Sequence, residues 1–139
     1  MKVKDAMHPG VICVEPDTPI RDVARTMKQE DVGAIPVKSD GELVGMITDR
    51  DLACRALCDG LDVATLRARD VMTRGAICCL AGDDISDALG VMEGQKIRRL
   101  PVMDRDGALV GMLSLGDISR GVSDKVSGEV LKSVTAHHR

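Results

Sequence analysis

Two short groups of polar residues carry the chemistry this sequence offers. Thr48 and Asp51 stand three apart with Arg50 between them, and Ser114 and Asp117 repeat the hydroxyl and the carboxylate with Gly116 in the place of the arginine. Each group follows an apolar run, Gly45-Met46-Ile47 and Gly111-Met112-Leu113. A hydroxyl donates to a phosphate oxygen. A carboxylate one turn further on accepts two hydrogen bonds, which suits the cis-diol of a ribose. If each apolar run is a strand leading into a helix, the unpaired N–H groups of the helix start also favour an anion, and Arg50 adds positive charge. Together with an apolar slot these groups describe an adenosine nucleotide. Because Phe, Tyr and Trp are all absent, the base would lie between aliphatic side chains such as Ile12, Ile35 and Val37. A second reading stays open. Ser/Thr-x-x-Asp is close to a capping box, worth about 0.5–2 kcal/mol to the helix behind it, and a cap can also become a ligand contact.

The elements that must hold these groups occur twice. At a shift of 65 residues Asp5, Met7, Gly10, Cys13, Asp22, Met27, Pro36 and Val37 fall on Asp70, Met72, Gly75, Cys78, Asp87, Met92, Pro101 and Val102. One residue is inserted near Asp106, after which Gly41, Leu43, Val44, Gly45, Met46 and Asp51 fall on Gly107, Leu109, Val110, Gly111, Met112 and Asp117. This is an internal repeat. Two copies are too few for a solenoid, and each is too small to bury its own apolar face well, so the copies are expected to pack on each other about a pseudo-twofold axis.

Within the first copy, a lead-in turn or helix at 3–7 is followed by the breaker His8-Pro9-Gly10 and a strand at 11–14. Thr18 is the expected N-cap, with Pro19 at the first helical position. Ile20, Val23, Ala24 and Met27 then form a helical stripe ending near Glu30. A strand over 34–37 follows, with Pro36 pointing to an edge. A turn over 39–42 leads to a strand over 43–47 and a helix over 49–58. The second copy predicts a strand over 77–80, a helix over 84–92 with the stripe Ile85, Ala88, Leu89 and Met92, strands over 100–103 and 109–113, and a helix over 115–122. A short helix near 130–134 and a fraying end at His137-His138 complete the chain. The domains read as repeat 1 over 7–64, repeat 2 over 72–127 and a C-terminal tail over 128–139, each repeat being β-α-β-β-α and the fold class α+β.

The bulk properties narrow the functions. The chain has 139 residues, a net charge of −3 and 44% hydrophobic residues. The acidic balance argues against nucleic acid, which needs a basic face, and the missing aromatics remove base-stacking platforms. No apolar run approaches the roughly 20 residues of a membrane span, and no signal peptide is seen. The expectation is a cytoplasmic protein with reduced thiols. Cys54 and Cys58 are i, i+4 on one helix but lack further ligands at metal spacing. Cys13 and Cys78 hold equivalent strand positions and are expected to be buried and apolar in character, and the methionines to fill the core. There is no nucleophile–base pair, no P-loop and no Gly-x-Ser-x-Gly, so neither an enzyme nor a metal site is expected.

The repeated β-α-β-β-α unit, the Ile35-Pro36-Val37 and Leu100-Pro101-Val102 strands, the Asp-Gly-x-Leu-Val-Gly-Met turns and the Thr/Ser-x-x-Asp endings together resemble the cystathionine-β-synthase (CBS) domain pair, or Bateman module. The resemblance spans about Met7 to Val122, and the layout is similar to the stand-alone bacterial hypoxic response protein type. It implies two clefts between paired repeats that bind AMP, ATP, S-adenosylmethionine or related ligands as regulators, with no cofactor required. Carried over, Asp51 and Asp117 would hold ribose hydroxyls, and Thr48 and Ser114 phosphate or ribose oxygen. Backbone around Cys13, Ile35 and Pro36, and around Cys78, Leu100 and Pro101, would meet the adenine. Gly33-Ala34 becomes Arg98-Arg99 in the second copy, so Arg99 either supplies the charge that Arg50 supplies in the first or fills the slot. The expected function is a stand-alone nucleotide sensor, homodimeric and acting on an unknown protein target in trans. The alternative is a ligand-free dimeric scaffold or protein-interaction adaptor with vestigial clefts.

Overall fold

A computed structural model describes residues 1–120 together with Gly128 and Lys132. The end of the last predicted helix, and the expectations for 130–134 and His137-His138, lie outside the described residues. The elements in order are α1 (Val3–Ala6), β1 (His8–Pro9), α2 (Ile20–Glu30), β2 (Ala34–Ser39), β3 (Glu42–Thr48), α3 (Asp49–Asp51, continued by a wider π-helical stretch over Leu52–Leu57), α4 (Ala68–Val71), β4 (Thr73–Arg74), β5 (Cys79–Leu80), α5 (Ile85–Gln95), β6 (Arg99–Met103), β7 (Leu109–Ser114) and α6 (Leu115–Ser119). The fold is α+β and each repeat is built on an antiparallel hairpin.

The chain forms two compact units, and they do not follow the order of the sequence. One comprises Ile12–Ala76, the other Met1–Val11 with Ile77–Arg139. The lead-in of the first repeat therefore packs with the second repeat, and the lead-in of the second packs with the first.

In the unit Ile12–Ala76 the sheet order is β2-β3-β4, all antiparallel. Ile35, Val37 and Ile47 alternate along β2 and β3 and meet Ile20, Val23 and Met27 of α2, with Ala56, Leu66, Ala68, Val71 and Met72 completing the buried cluster. Ala24, predicted in the same stripe, is exposed. The hairpin turns through Asp40 and Gly41, both at positive φ (51° and 81°), the two-residue turn whose twist matches the strands. The N-cap of α2 is Pro19 rather than Thr18: the N–H groups of Asp22 and Val23 both donate to the Pro19 carbonyl. The Thr18 hydroxyl instead accepts from the Glu15 N–H at 3.1 Å, closing the turn before the helix. The strand expected over 11–14 does not form. Val14 alone bridges Val37, its N–H donating to the Pro36 carbonyl at 3.0 Å.

In the other unit the order is β1-β7-β6-β5, with β5 parallel to β6 and the rest antiparallel. Leu100, Val102, Leu113 and Ile118 pack on Val3, Ile85, Ala88, Leu89 and Met92. The two prolines differ in setting. Pro36 is on an edge strand of its sheet, as predicted, whereas Pro101 lies on β6 between β7 and β5. The latter is tolerated because a parallel neighbour uses the proline carbonyl, as Val14 does at Pro36, and asks for no N–H. The residue inserted near Asp106 is absorbed in a longer turn, where the Asp104 carboxylate accepts the N–H groups of Asp106 and Ala108 at 2.9 and 2.8 Å.

The repeated glycines of the Gly-Met runs have a packing cause. β1 pairs with β7 at Pro9–Gly111 and His8–Met112, and β4 pairs with β3 at Arg74–Gly45 and Thr73–Met46. A Cβ on Gly111 would stand 2.6 Å from the His8 carbonyl oxygen and 2.7 Å from the Met7 sulfur. One on Gly45 would stand 2.6 Å from the Thr73 carbonyl oxygen and 3.0 Å from the Met72 sulfur. Only glycine lets the lead-in backbone come this close. Gly111→Ala is therefore expected to lower stability by about 1–3 kcal/mol, the usual cost of overpacking. It should also open residues 1–11 to protease, whereas Gly82→Ala, which meets nothing within 4 Å, should do neither; melting curves and limited proteolysis check this.

Candidate functional site

Both hydroxyl–carboxylate pairs form where a strand passes into a helix, and both form the complete reciprocal box. Thr48 N–H donates to Asp51 Oδ2 at 2.9 Å, and Asp51 N–H donates to Thr48 Oγ1 at 3.1 Å. Ser114 N–H donates to Asp117 Oδ2 at 2.9 Å, and Asp117 N–H to Ser114 Oγ at 3.1 Å. The capping reading is thus correct for both. It does not exhaust the groups. Each hydroxyl accepts and keeps its own proton to give, and each carboxylate spends one oxygen on the box and keeps Oδ1.

The expectation of a helix end offering free N–H groups fails in the first repeat. The Asp49 N–H donates to the Gly33 carbonyl at 3.0 Å, the Arg50 N–H to Asp49 Oδ1 at 2.9 Å, and the Asp51 N–H to Thr48. Asp49 closes on its neighbour because its short carboxylate reaches that amide. An anion here must be held by the Thr48 hydroxyl and the exposed Arg50 guanidinium. In the second repeat Leu115 N–H donates to the Arg98 carbonyl at 2.9 Å, and Leu115, standing where Asp49 does, has no carboxylate.

Strand alternation sorts the other candidates. Ile35 and Val37 are fully buried in the core cluster, so their side chains cannot line a slot for a base. The same holds for Leu100 and Val102. What Ile35 and Leu100 can offer is backbone. Pro36, Met46 and Thr48 share the opposite face of the hairpin, as Pro101, Met112 and Ser114 do in the second repeat. Arg99 pairs across the strands with Ser114, where Ala34 pairs with Thr48, so the exposed Arg99 carries its charge on that same face. Ile12 is 43% exposed.

The surroundings of the two carboxylates differ. Asp51, with its side chain 14% exposed, has Arg55 Nε at 3.7 Å from Oδ1, and that arginine is already anchored by donating to the Val71 and Met72 carbonyls at 3.4 and 3.0 Å. Asp117, with its side chain 3% exposed, has His8 Nε2 at 3.2 Å and Arg120 Nη1 at 4.0 Å from Oδ1. In the sequence His8 reads only as part of a chain breaker. Nothing local marks it, because it meets Asp117 only through the pairing of β1 with β7. Among the described residues no cluster of three or more His, Cys, Asp or Glu is placed to hold a metal, and no helix is long and apolar enough to cross a membrane.

These two junctions are carried by tandem repeats of one hairpin-and-helix unit. The chain belongs to the CBS domain family, whose model matches residues 3–56 and 68–124. It is 38% identical to the CBS domain-containing protein YhcV of Bacillus subtilis over 134 residues, covering 96% of this chain and 94% of that protein. It is 33% identical to Hypoxic response protein 1 of Mycobacterium tuberculosis over 132 residues, covering 94% of this chain and 92% of that one. Among solved structures it is similar to Hypoxic Response Protein I with two coordinated zinc ions (TM-score 0.79, 34% identity, 88% of this chain and 100% of that chain). It is also similar to CBSX2 in complex with AMP (TM-score 0.76, 31% identity, 86% and 94%).

The cysteines require a correction. Cys13 and Cys78 are exposed, as are Cys54 and Cys58, and only Cys79 is buried. In each repeat the side chain that packs inward is one residue further on, at the half-buried Val14 and at Cys79. Burial pushes the Cys79 thiol up to about 11. A thiol-reactive disulfide at pH 8 is expected to modify four cysteines of the native protein and to reach Cys79 only after denaturation, counted by mass spectrometry.

Proposed function

We propose that this protein is a regulatory module that binds an adenosine-containing nucleotide at the strand–helix junction of its first repeat. One observation carries the reading: Asp51 is fixed through Oδ2 by its own capping box with Thr48, which leaves Oδ1 outside the box, with Arg55 Nε at 3.7 Å and the exposed Arg50 close in sequence. A carboxylate so held accepts ribose hydroxyls without first being ordered, and preorganisation of this kind lowers the cost of binding. Thr48 and Arg50 then take the phosphate. The backbone around Cys13, Ile35 and Pro36 meets the adenine edge. Family membership and the AMP complex of the similar CBSX2 protein support this choice of ligand class.

The second repeat offers Ser114, Asp117 and the backbone around Cys78, Leu100 and Pro101 in the same roles, with Arg99 in place of Arg50. In this reading the protein is not an enzyme and needs no cofactor. It works as a cytoplasmic homodimer on a protein target in trans, and ligand acts through its different affinities for two states.

The test uses the absence of Trp and Tyr, which leaves the protein nearly dark where purines absorb. The absorption spectrum of purified protein near 260 nm, mass spectrometry of a heat-denatured filtrate, and titrations with AMP, ATP and S-adenosylmethionine should reveal an adenine ligand. Asp51→Asn keeps an acceptor for the Thr48 N–H but removes the charge that grips the ribose. It should weaken binding at the first repeat at least about tenfold, since hydrogen bonds to a charged group are worth about 1.5–3 kcal/mol. No binding of any of the three ligands would favour the ligand-free scaffold instead, and unchanged affinity in Asp51→Asn would remove Asp51 from the site.

A further inference from the structure

Resting on the nucleotide-binding reading above, we propose that His8 is a latch on the second repeat's site: it holds the Asp117 oxygen that a ribose needs. Asp117 Oδ2 is spent on the Ser114 N–H. Oδ1 is the remaining acceptor, and His8 Nε2 stands 3.2 Å from it, with Arg120 Nη1 further off at 4.0 Å. His8 reaches this place because β1 pairs with β7 at His8–Met112. That register puts its side chain on the face that carries Met112 and Ser114. The carboxylate is buried, with its side chain 3% exposed, whereas the imidazole is 72% exposed. The ring can therefore leave for solvent without disturbing the core, and the latch is releasable.

In the first repeat the Asp51 Oδ1 oxygen faces Arg55 Nε at 3.7 Å, beyond hydrogen-bond reach, and that arginine is already anchored on the Val71 and Met72 carbonyls. Thr73 pairs with Met46 in β4 as His8 pairs with Met112 in β1, so Thr73 holds the equivalent place beside the Asp51 junction. Its side chain is shorter. The two sites are thus unequal by construction, and the first repeat fills before the second. The strength of the latch is set by exposure: a polar contact with one partner in solvent contributes modestly, a factor of about three to five in affinity.

The experiment exchanges the two residues and uses AMP as the probe, with binding followed by calorimetry and folding checked by melting. In an Asp51→Asn background, which leaves the second repeat to be measured, adding His8→Thr should tighten AMP binding about three- to fivefold. In an Asp117→Asn background, which leaves the first repeat, adding Thr73→His should weaken it by a similar factor. Equal or weaker binding after His8→Thr overturns the latch and leaves the first-repeat reading standing. The latch is likewise overturned if wild-type protein binds AMP but both Asp51→Asn proteins do not, for then it guards no site. If neither wild type nor any variant takes up AMP, the reading and the latch fall together.

Discussion

The rest of this molecule depends on a close approach of two backbones. At Gly45 and Gly111 the lead-in strand of the opposite repeat lies so near that a single methyl group would collide with a carbonyl oxygen. That approach lets β4 add to β3 and β1 add to β7. Each central strand is then bonded on both sides, and no compact unit is made from one repeat alone. The lead-ins are tied at their other ends too. In one unit the Ile85 N–H donates to the Met1 carbonyl, and in the other the Ile20 N–H donates to the Leu66 carbonyl. Lys2 adds an exposed ion pair to Asp84 at 2.8 Å, which raises the lysine and lowers the aspartate from their usual ranges through that mutual hydrogen bond.

The exchanged lead-ins have a chemical consequence. They bring a side chain from outside the local sequence to each strand–helix junction, His8 at Asp117 and Thr73 on the Asp51 side. The junctions themselves are reciprocal caps built from one hydroxyl and one carboxylate each. The reciprocal box satisfies backbone N–H groups that a helix start leaves unpaired. In doing so it freezes the carboxylate with one oxygen turned away from the backbone. Capping consumes one oxygen of each carboxylate and leaves the other outside the box. What distinguishes the repeats is who meets that second oxygen, an anchored arginine in one and an exposed histidine in the other.

A core without aromatic rings sets further limits. Valine, isoleucine, leucine and methionine fill both clusters, and the alternation of β2 and β6 commits Ile35, Val37, Leu100 and Val102 to them. The prolines between them, Pro36 and Pro101, are buried as well.

Much of this was written locally and so was legible in the sequence. The repeat, the α2 and α5 stripes, the Asp40-Gly41 hairpin and both Thr/Ser-x-x-Asp boxes depend on neighbours within a few residues, where spacing alone decides the geometry. The strand expected at 11–14 was not legible. A short apolar run becomes a strand only if a partner offers a free edge along its length, and here Val14 alone finds one. Cys13 is exposed within that segment, and Cys78 is exposed just before β5, where the strand expected over 77–80 shortens to Cys79–Leu80. The occupied N–H of Arg50 was hidden for a different reason: Asp49 could have faced solvent, and only the folded turn brings its carboxylate onto that amide. The pairing of β1 with β7 and the meeting of His8 with Asp117 join residues more than a hundred positions apart. No periodicity encodes such a pairing, because it arises from which sheet edge is free and from which glycine lets a second backbone come near. The sequence by itself determined two copies of a capped strand–helix junction; the tertiary structure decided which lead-in each would receive, and hence that the two junctions are not the same.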